Sequence, residues 1–296
     1  MVPNDPPSAS QSDQAIGCLI GSLAADALAL GVHWIYDAAQ LTALKPVADF
    51  TNPAPDSYHP NKRAGEVSHV GDQALALHRS LRVRNGFVAE IWSEQWLAMW
   101  PDYHDYVDKA TKHRLAEGEA MASDELAGAA RIAPLVAFYG PERREELFDA
   151  ISGQTALTHA GVAVRSAGWC LAELALGAME TGSVAESLAR SERIDYPELD
   201  YKCMLASAQE LARKLPDDPI AAVGETGRAC PLAQAFPAVL YVLLCHGDDL
   251  EAAFMANARA GGDNCARGLA LGMVMGAAHG LVAVPERWRA VESLLG

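Results

Sequence analysis

The sequence predicts an all-α protein, and three observations carry that prediction. Apolar residues recur at helical spacing: in "EIWSEQWLAMW", Trp92, Trp96 and Trp100 stand at i, i+4 and i+8, on one helix face. Runs of alternating strands closed by hairpin turns do not occur, and Val, Ile and Thr are sparse beside Ala and Leu. Two segments near opposite ends place small residues four apart, Gly17, Gly21 and Ala25 in the first and Gly268, Gly272, Gly276 and Gly280 in the last. Glycine inside a helix costs about 1 kcal/mol against alanine, so a glycine stripe needs an offsetting gain. Close approach of a second backbone supplies one. The expectation is one compact helical bundle over residues 15–296, its first and last long helices packed together at the centre. Two unrelated small-faced helices are the alternative.

The elements follow in chain order. Residues 1–14, "MVPNDPPSASQSDQ", hold no Lys or Arg and so lack the basic region of a signal peptide; they read as a disordered Pro/Ser/Asp-rich arm. "AIGCLIGSLAADALALG" is the first long helix, and Asp26 interrupts its apolar face. A carboxylate there needs a partner, a metal or a proton, unless the helix end leaves it solvated. "GVHWIYD" then adds His33, Tyr36 and Asp37.

In "GEVSHVGDQALALHRSL", Ser68 and His69 precede Gly71 and Asp72 at the start of an amphipathic helix. Ser68 or Asp72 caps that helix, or the helix start presents His69 and Asp72 to a ligand. The tryptophan stripe after it belongs to the core. "ASDELAGAARIAPL" sets Ser123, Asp124 and Glu125 before a small-residue helix containing Arg131, and "QTALTHAGVAVRSAGW" places Thr158 and His159 at a helix start. The alternative to ligand binding is a capped helix with a solvated Arg131 in the first and a capping or core His159 in the second.

"DDLEAAFMANARAGG" opens on a capping-box-like Asp248 and Glu251 and closes on a glycine pair. "GGDNCAR" follows. Asp263 or Asn264 caps the last helix, whose first backbone N–H groups would attract an anion. Cys265 falls in the first turn, either as a buried inert thiol or as a nucleophile activated by the helix dipole and Arg267.

Composition narrows the function. The 296 residues carry 23 basic and 38 acidic side chains, a net charge of −15, with no Lys/Arg-rich block, which argues against nucleic acid as a partner. The cysteines at 18, 170, 203, 230, 245 and 265 share no C-x-x-C spacing and mostly sit in apolar runs, the pattern of reduced thiols in a cytoplasmic protein. The longest uninterrupted apolar run, Ala235 to Cys245, is too short to cross a bilayer, so no membrane association is expected.

Taken in order, "GCLIGSLAADALALGVHWIYD", "GEVSHVGDQALALHRSL", "DELAGAARIAPL", "ALTHAGVAVRSAGW", "AFPAVLYVLL" and "GGDNCARGLALGMVMGAAHG" resemble the ADP-ribosylglycohydrolase and J1-crystallin family, over about residues 15 to 285. The resemblance implies a compact all-α domain and a hydrolase that removes ADP-ribose from modified side chains. It also implies two magnesium ions, held by an early Thr-Asp-Asp motif and a late Asp-x-Asp-Thr motif. Here the early motif lines up with Ser68, His69 and Val70, and the late one with Asp263, Asn264, Cys265 and Ala266, so most of the carboxylates are replaced.

By this resemblance, Ser68, Asp72 and Asp263 are the remaining candidate metal ligands. His69 and Cys265 are softer donors that would favour zinc or another transition metal, if any metal binds. The first functional reading is a hydrolase for an ADP-ribose-like or smaller ribosyl or phosphate ligand, with altered or lost magnesium dependence. In it Asp263, His69, Asp72 and Cys265 are the catalytic candidates, and Asp26, Ser68, Asp124, His159 and Asn264 bind the ligand. A catalytically silent ADP-ribose-binding or crystallin-like structural protein is the second reading. A Cys265/His69 nucleophilic amidohydrolase is the third. The expected partner is a small-molecule or ADP-ribosylated substrate, and no oligomeric state is implied.

Overall fold

The first helix, Ala9–Leu30, runs antiparallel to nothing nearby in sequence; its partner is the last long helix, Asn264–His279. Their small residues explain the pairing. A Cβ added to Gly21 would stand 2.6 Å from the carbonyl oxygen of Gly272, and one added to Gly268 would stand 2.7 Å from that of Ala25. The two backbones therefore touch where both sequences have lost their side chains. Ser22 fastens the crossing by donating its hydroxyl to the carbonyl of Leu269, 2.8 Å away. This is the central pair expected from the glycine stripes.

The computed structural model describes the backbone from residue 9 and side chains from residue 13. The first helix takes in residues 9–14, which sequence reasoning placed in the disordered arm, and the rest of that arm lies outside the described residues. Among the described residues there are fifteen α-helices and no strand, only two isolated bridges, Met121 with His159 and Glu125 with Pro231. The fold is all-α.

Around the central pair pack Val162–Thr181, Leu232–His246 and Leu250–Ala260, whose inward faces are largely Ala, Leu and Val. Trp92, Trp96 and Trp100 are buried, as their spacing predicts, and Trp96 also donates its indole N–H to Gln73 Oε1 at 2.8 Å. Two helices, Asp13–Leu30 and Val162–Thr181, are long and apolar enough to cross a membrane by length and composition alone, but most of each is buried inside the protein.

Several local expectations shift by a residue or two. Asp249, not Asp248, caps Leu250–Ala260, its Oδ1 accepting the N–H of Ala252 at 2.9 Å. Thr158 and His159 follow the helix Arg144–Ala156 instead of opening one; the next helix starts at Val162. Arg131 lies in the break between Ala127–Ala130 and Ala133–Tyr139, buried rather than solvated.

Candidate functional site

Three helices begin at one place. His69–Arg84 starts behind Ser68, Lys109–Glu117 behind Asp108, and Asn264–His279 behind Asp263. Ser68 Oγ accepts the N–H groups of Val70 and Gly71, both at 3.3 Å, so the hydroxyl is the cap that the motif suggests. The N–H of Ser68 in turn reaches Asp26 Oδ2 at 2.7 Å, and Gly71 has no side chain because that carboxylate occupies the space. Asp26 is thus a buried brace between the first helix and the early motif. Its Oδ1 has no partner, and burial pushes its pKa up to about 7 against the pull of the Ser68 bonds.

Between these helix starts lies a cavity of about 310 Å³. His69, Asp108, Glu125 and Asp263 give it polar groups, and Trp34, Tyr36, Tyr58 and Tyr106 give it aromatic walls. Trp34 stands in the left-handed backbone region, φ 63°, which a non-glycine residue rarely enters. The "GGD" turn holds it there: Trp34 N–H donates to Gly262 O at 2.8 Å, and Gly262 N–H donates to Ile35 O at 2.7 Å. The Trp34 ring lies 4.6 Å from Tyr106 and 5.0 Å from Tyr58, edge to face, and stacks on His59 at 5.1 Å.

His69 is buried at the cavity wall, with Nε2 3.9 Å from Asp108 Oδ2 and Nδ1 unpartnered. Burial, helped by the nearby Lys62 and Arg131 and opposed by Asp108, drops its pKa to about 3, so the imidazole is neutral. Burial alone would raise the pKa of Asp108. At the acid pH where Asp108 itself titrates, positive charge on His69, two bonds from Thr111, 2.6 Å to the hydroxyl and 2.8 Å to the N–H, and the Arg131 charge outweigh it and hold the carboxyl below its usual range.

Asp263 carries the carboxyl of the turn. Burial and the neighbouring charge of Glu125 push its pKa up to about 6, against the pull of Arg267. Its proton can be traced through neighbouring bonds. Asn264 donates Nδ2–H to Ala258 O at 3.1 Å, which leaves Asn264 Oδ1 as an acceptor. His33 Nδ1, 2.8 Å from that oxygen, must then carry the proton. In the neutral ring this leaves His33 Nε2 bare, 3.6 Å from Asp263 Oδ1. A protonated Asp263 faces a free acceptor, whereas an ionised one faces a lone pair.

Glu125, mentioned in the sequence only as a neighbour of Asp124, also lines the cavity, and burial raises its pKa. Cys230 Sγ donates to Glu125 Oε1 at 3.5 Å, and burial, then the nearby charge of Asp263, raises the pKa of that thiol. Asp124 itself is exposed and does not line the cavity. The helical pattern places neither residue, because this stretch is extended and pairs with Cys230 and Pro231.

The remaining sequence candidates stand apart. Asp72 Oδ2 is engaged at 2.6 Å by both Lys62 Nζ and the Tyr103 hydroxyl. His159 is buried beside Arg131, its Nδ1 2.8 Å from Thr158 Oγ1. Asn264 is a latch that fixes the turn and the His33 tautomer. Cys265 faces away from the cavity into a small cluster with Ala29 and Leu30, its Sγ 3.7 Å from the Asp26 carbonyl. Burial, then the Asp26 charge, raises its pKa well above the ordinary thiol value, so the nucleophile of the third reading has no thiolate and no bonded base.

Comparison with known proteins now adds to the geometry. The family model for ADP-ribosylglycohydrolase matches residues 7–293. This chain belongs to the ADP-ribosylglycohydrolase family. A solved structure titled "ADP-ribosylglycohydrolase-related protein complex" superposes with a TM-score of 0.75 over 97% of this chain and 96% of that one, at 21% identity, and so shares the fold. No curated protein matches the chain in sequence. Within this family member, and among the described residues, no three His, Cys, Asp or Glu side chains are grouped to hold a metal ion.

Proposed function

We propose that this chain hydrolyses a ribosyl linkage in an ADP-ribose-like or smaller ribosyl ligand, through its own carboxyl groups and without a two-magnesium centre. The observation that carries this reading is the pair of carboxyls with raised pKa, Asp263 and Glu125, that line one cavity.

A two-magnesium centre does not fit the donors present. Mg²⁺ takes about six oxygen ligands in tight octahedral geometry. Ser68 Oγ is taken up by the helix cap, Asp26 Oδ2 by the Ser68 N–H, and Asp72 by Lys62 and Tyr103. Val70, Cys265 and Ala266 offer no hard oxygen at the places where the resemblance expects one. At the motif positions, Asp263 and the free Oδ1 of Asp26 are too few.

Cleavage at an anomeric carbon passes through an oxocarbenium-like state, which needs a proton for the leaving group and negative charge beside the sugar. Asp263, with a pKa near 6, keeps a useful protonated fraction near neutral pH and donates that proton. Ionised Asp108 and Glu125 stabilise the developing positive charge. The bare Nδ1 of neutral His69 accepts a hydrogen bond from water or a ribose hydroxyl and orients it. The bare His33 Nε2, 3.6 Å from Asp263 Oδ1, favours the protonated form of that carboxyl, and the proton released when water adds at the anomeric carbon restores it.

The test is turnover of ribosyl and ADP-ribosyl substrates with chelator, with added Mg²⁺, and in Asp263→Asn. Turnover unchanged by chelator and lowered about 10²–10⁴-fold in the variant is expected. Loss of turnover on chelation overturns the metal-free reading, and an indifferent Asp263→Asn overturns the acid. The silent-module reading is favoured by the Lys62–Asp72 pair, which neutralises a motif carboxylate internally; ADP-ribose binding with no turnover of any such substrate would select it.

A further inference from the structure

The cavity is rich in hydrogen-bond acceptors and poor in cations. Asp108, Glu125 and Asp263 are carboxyl groups, and His69, only 4% exposed, leaves Nδ1 without a partner, an acceptor in the tautomer that keeps its proton on Nε2 toward Asp108 Oδ2, 3.9 Å away. The one thiol on this wall already turns its hydrogen toward Glu125. Among the described lining residues Lys109 is the only cation, and it is exposed. Helix starts often draw anions, but Ser68 and Asp108 cap two of these, and at the third the Asp263 carboxyl makes no cap bond yet sets an acidic group at the helix start. A phosphate entering this cavity would meet carboxylates before it met a free donor.

The walls point the same way. Trp34, Tyr58 and Tyr106 lie within 4.6 to 5.8 Å of one another, edge to face, so their faces turn in different directions around the mouth. Ring faces attract cations, the more so beside carboxylates in a partly dry site. Tyr106 already holds one, with Lys112 Nζ 5.3 Å from its centroid.

We propose that this cavity receives a compact organic cation bearing N–H donors, of the alkylammonium class, with the ammonium on His69 Nδ1 and the carboxylates of Glu125 and Asp263 and the alkyl part against Trp34 and Tyr58. The proposal goes beyond the functional reading above and rests on it only in taking the cavity as the ligand site. Its test measures binding, so failure of hydrolysis leaves it standing.

Calorimetry on the full chain with propylammonium, tetramethylammonium and inorganic phosphate separates the outcomes. Propylammonium binds saturably and about tenfold tighter than tetramethylammonium, which has no N–H to give; phosphate does not bind. Glu125→Gln weakens propylammonium about tenfold, and Lys109→Ala strengthens it about threefold by removing a like charge. The gain expected from Lys109→Ala keeps the test sharp if Glu125→Gln fails to fold, since a damaged protein does not bind more tightly. Phosphate binding as well as propylammonium, equal binding of the two cations, no binding of propylammonium, or no gain in Lys109→Ala each overturns the proposal.

Discussion

Lys62 Nζ lies 2.6 Å from Asp72 Oδ2, so the carboxylate nearest the early motif carries its own built-in cation. The pair is mostly buried, and removing one member leaves the other charged and desolvated. Lys62→Met should therefore cost about 2 kcal/mol in denaturant melts at pH 8, with the Tyr103 bond limiting the loss. Burial already raises the pKa of Asp72, and loss of Lys62 raises it further. The deficit should shrink as pH falls and Asp72 takes up its proton. The double variant with Asp72→Asn should recover most of it.

Asp26 makes stability depend on pH in the opposite sense from most carboxyls. Its folded pKa, about 7, lies above the ordinary carboxyl value of 3.8, so the folded protein binds the extra proton between those limits. Its contribution favours folding at low pH and is lost as pH rises toward 7. Asp26→Asn should stabilise the protein by a few kcal/mol at pH 8 and much less at pH 5. Melts of both proteins across that range check it.

Catalysis should fall on the alkaline side. With Asp263 as the acid, kcat drops about tenfold per pH unit above its pKa near 6. That limb should vanish in Asp263→Asn. His33→Ala, which removes the acceptor facing the proton, should move the limb while leaving KM little changed.

Cys265 should resist alkylation. Cys203 is exposed and Cys265 is sealed, so iodoacetamide followed by mass spectrometry should label the first readily and the second only after unfolding. Labelling of native Cys265 at the rate of a free thiol would contradict its burial.

The glycine stripes made the central helix pair legible, because a four-residue period of missing side chains has few other physical meanings. The tryptophan stripe and the Ser68 cap were legible for the same reason: each is a local periodic or capping rule. The cavity was less so. Asp263 and His69 stood out as polar residues at helix starts, but Glu125, Asp108, Tyr58 and Tyr106 come from segments whose place is set by tertiary contacts. Arg131 reads as a surface arginine in sequence, yet it is buried with its guanidinium bonded to Gln73, Gln154 and Thr158. Nothing in its neighbours announces those partners, which arrive from three other parts of the chain. For Cys265 the sequence leaves two readings, a buried inert thiol and a nucleophile, and its burial agrees with the first. A thiol in the first turn of a helix suggests reactivity, but the side chain turns inward.

The pairing of Ala9–Leu30 with Asn264–His279 also dictates when this protein can finish folding. A ribosome delivers the first helix some 240 residues before its partner, and until then its glycine face has no backbone to meet. Assembly of the core is thus a late event, and a chain stopped short of residue 264 would leave a long apolar helix uncovered, the kind of surface that chaperones retain. Gly272→Ala, which drives a methyl group into the Gly21 carbonyl, should slow that last docking as well as destabilise the product.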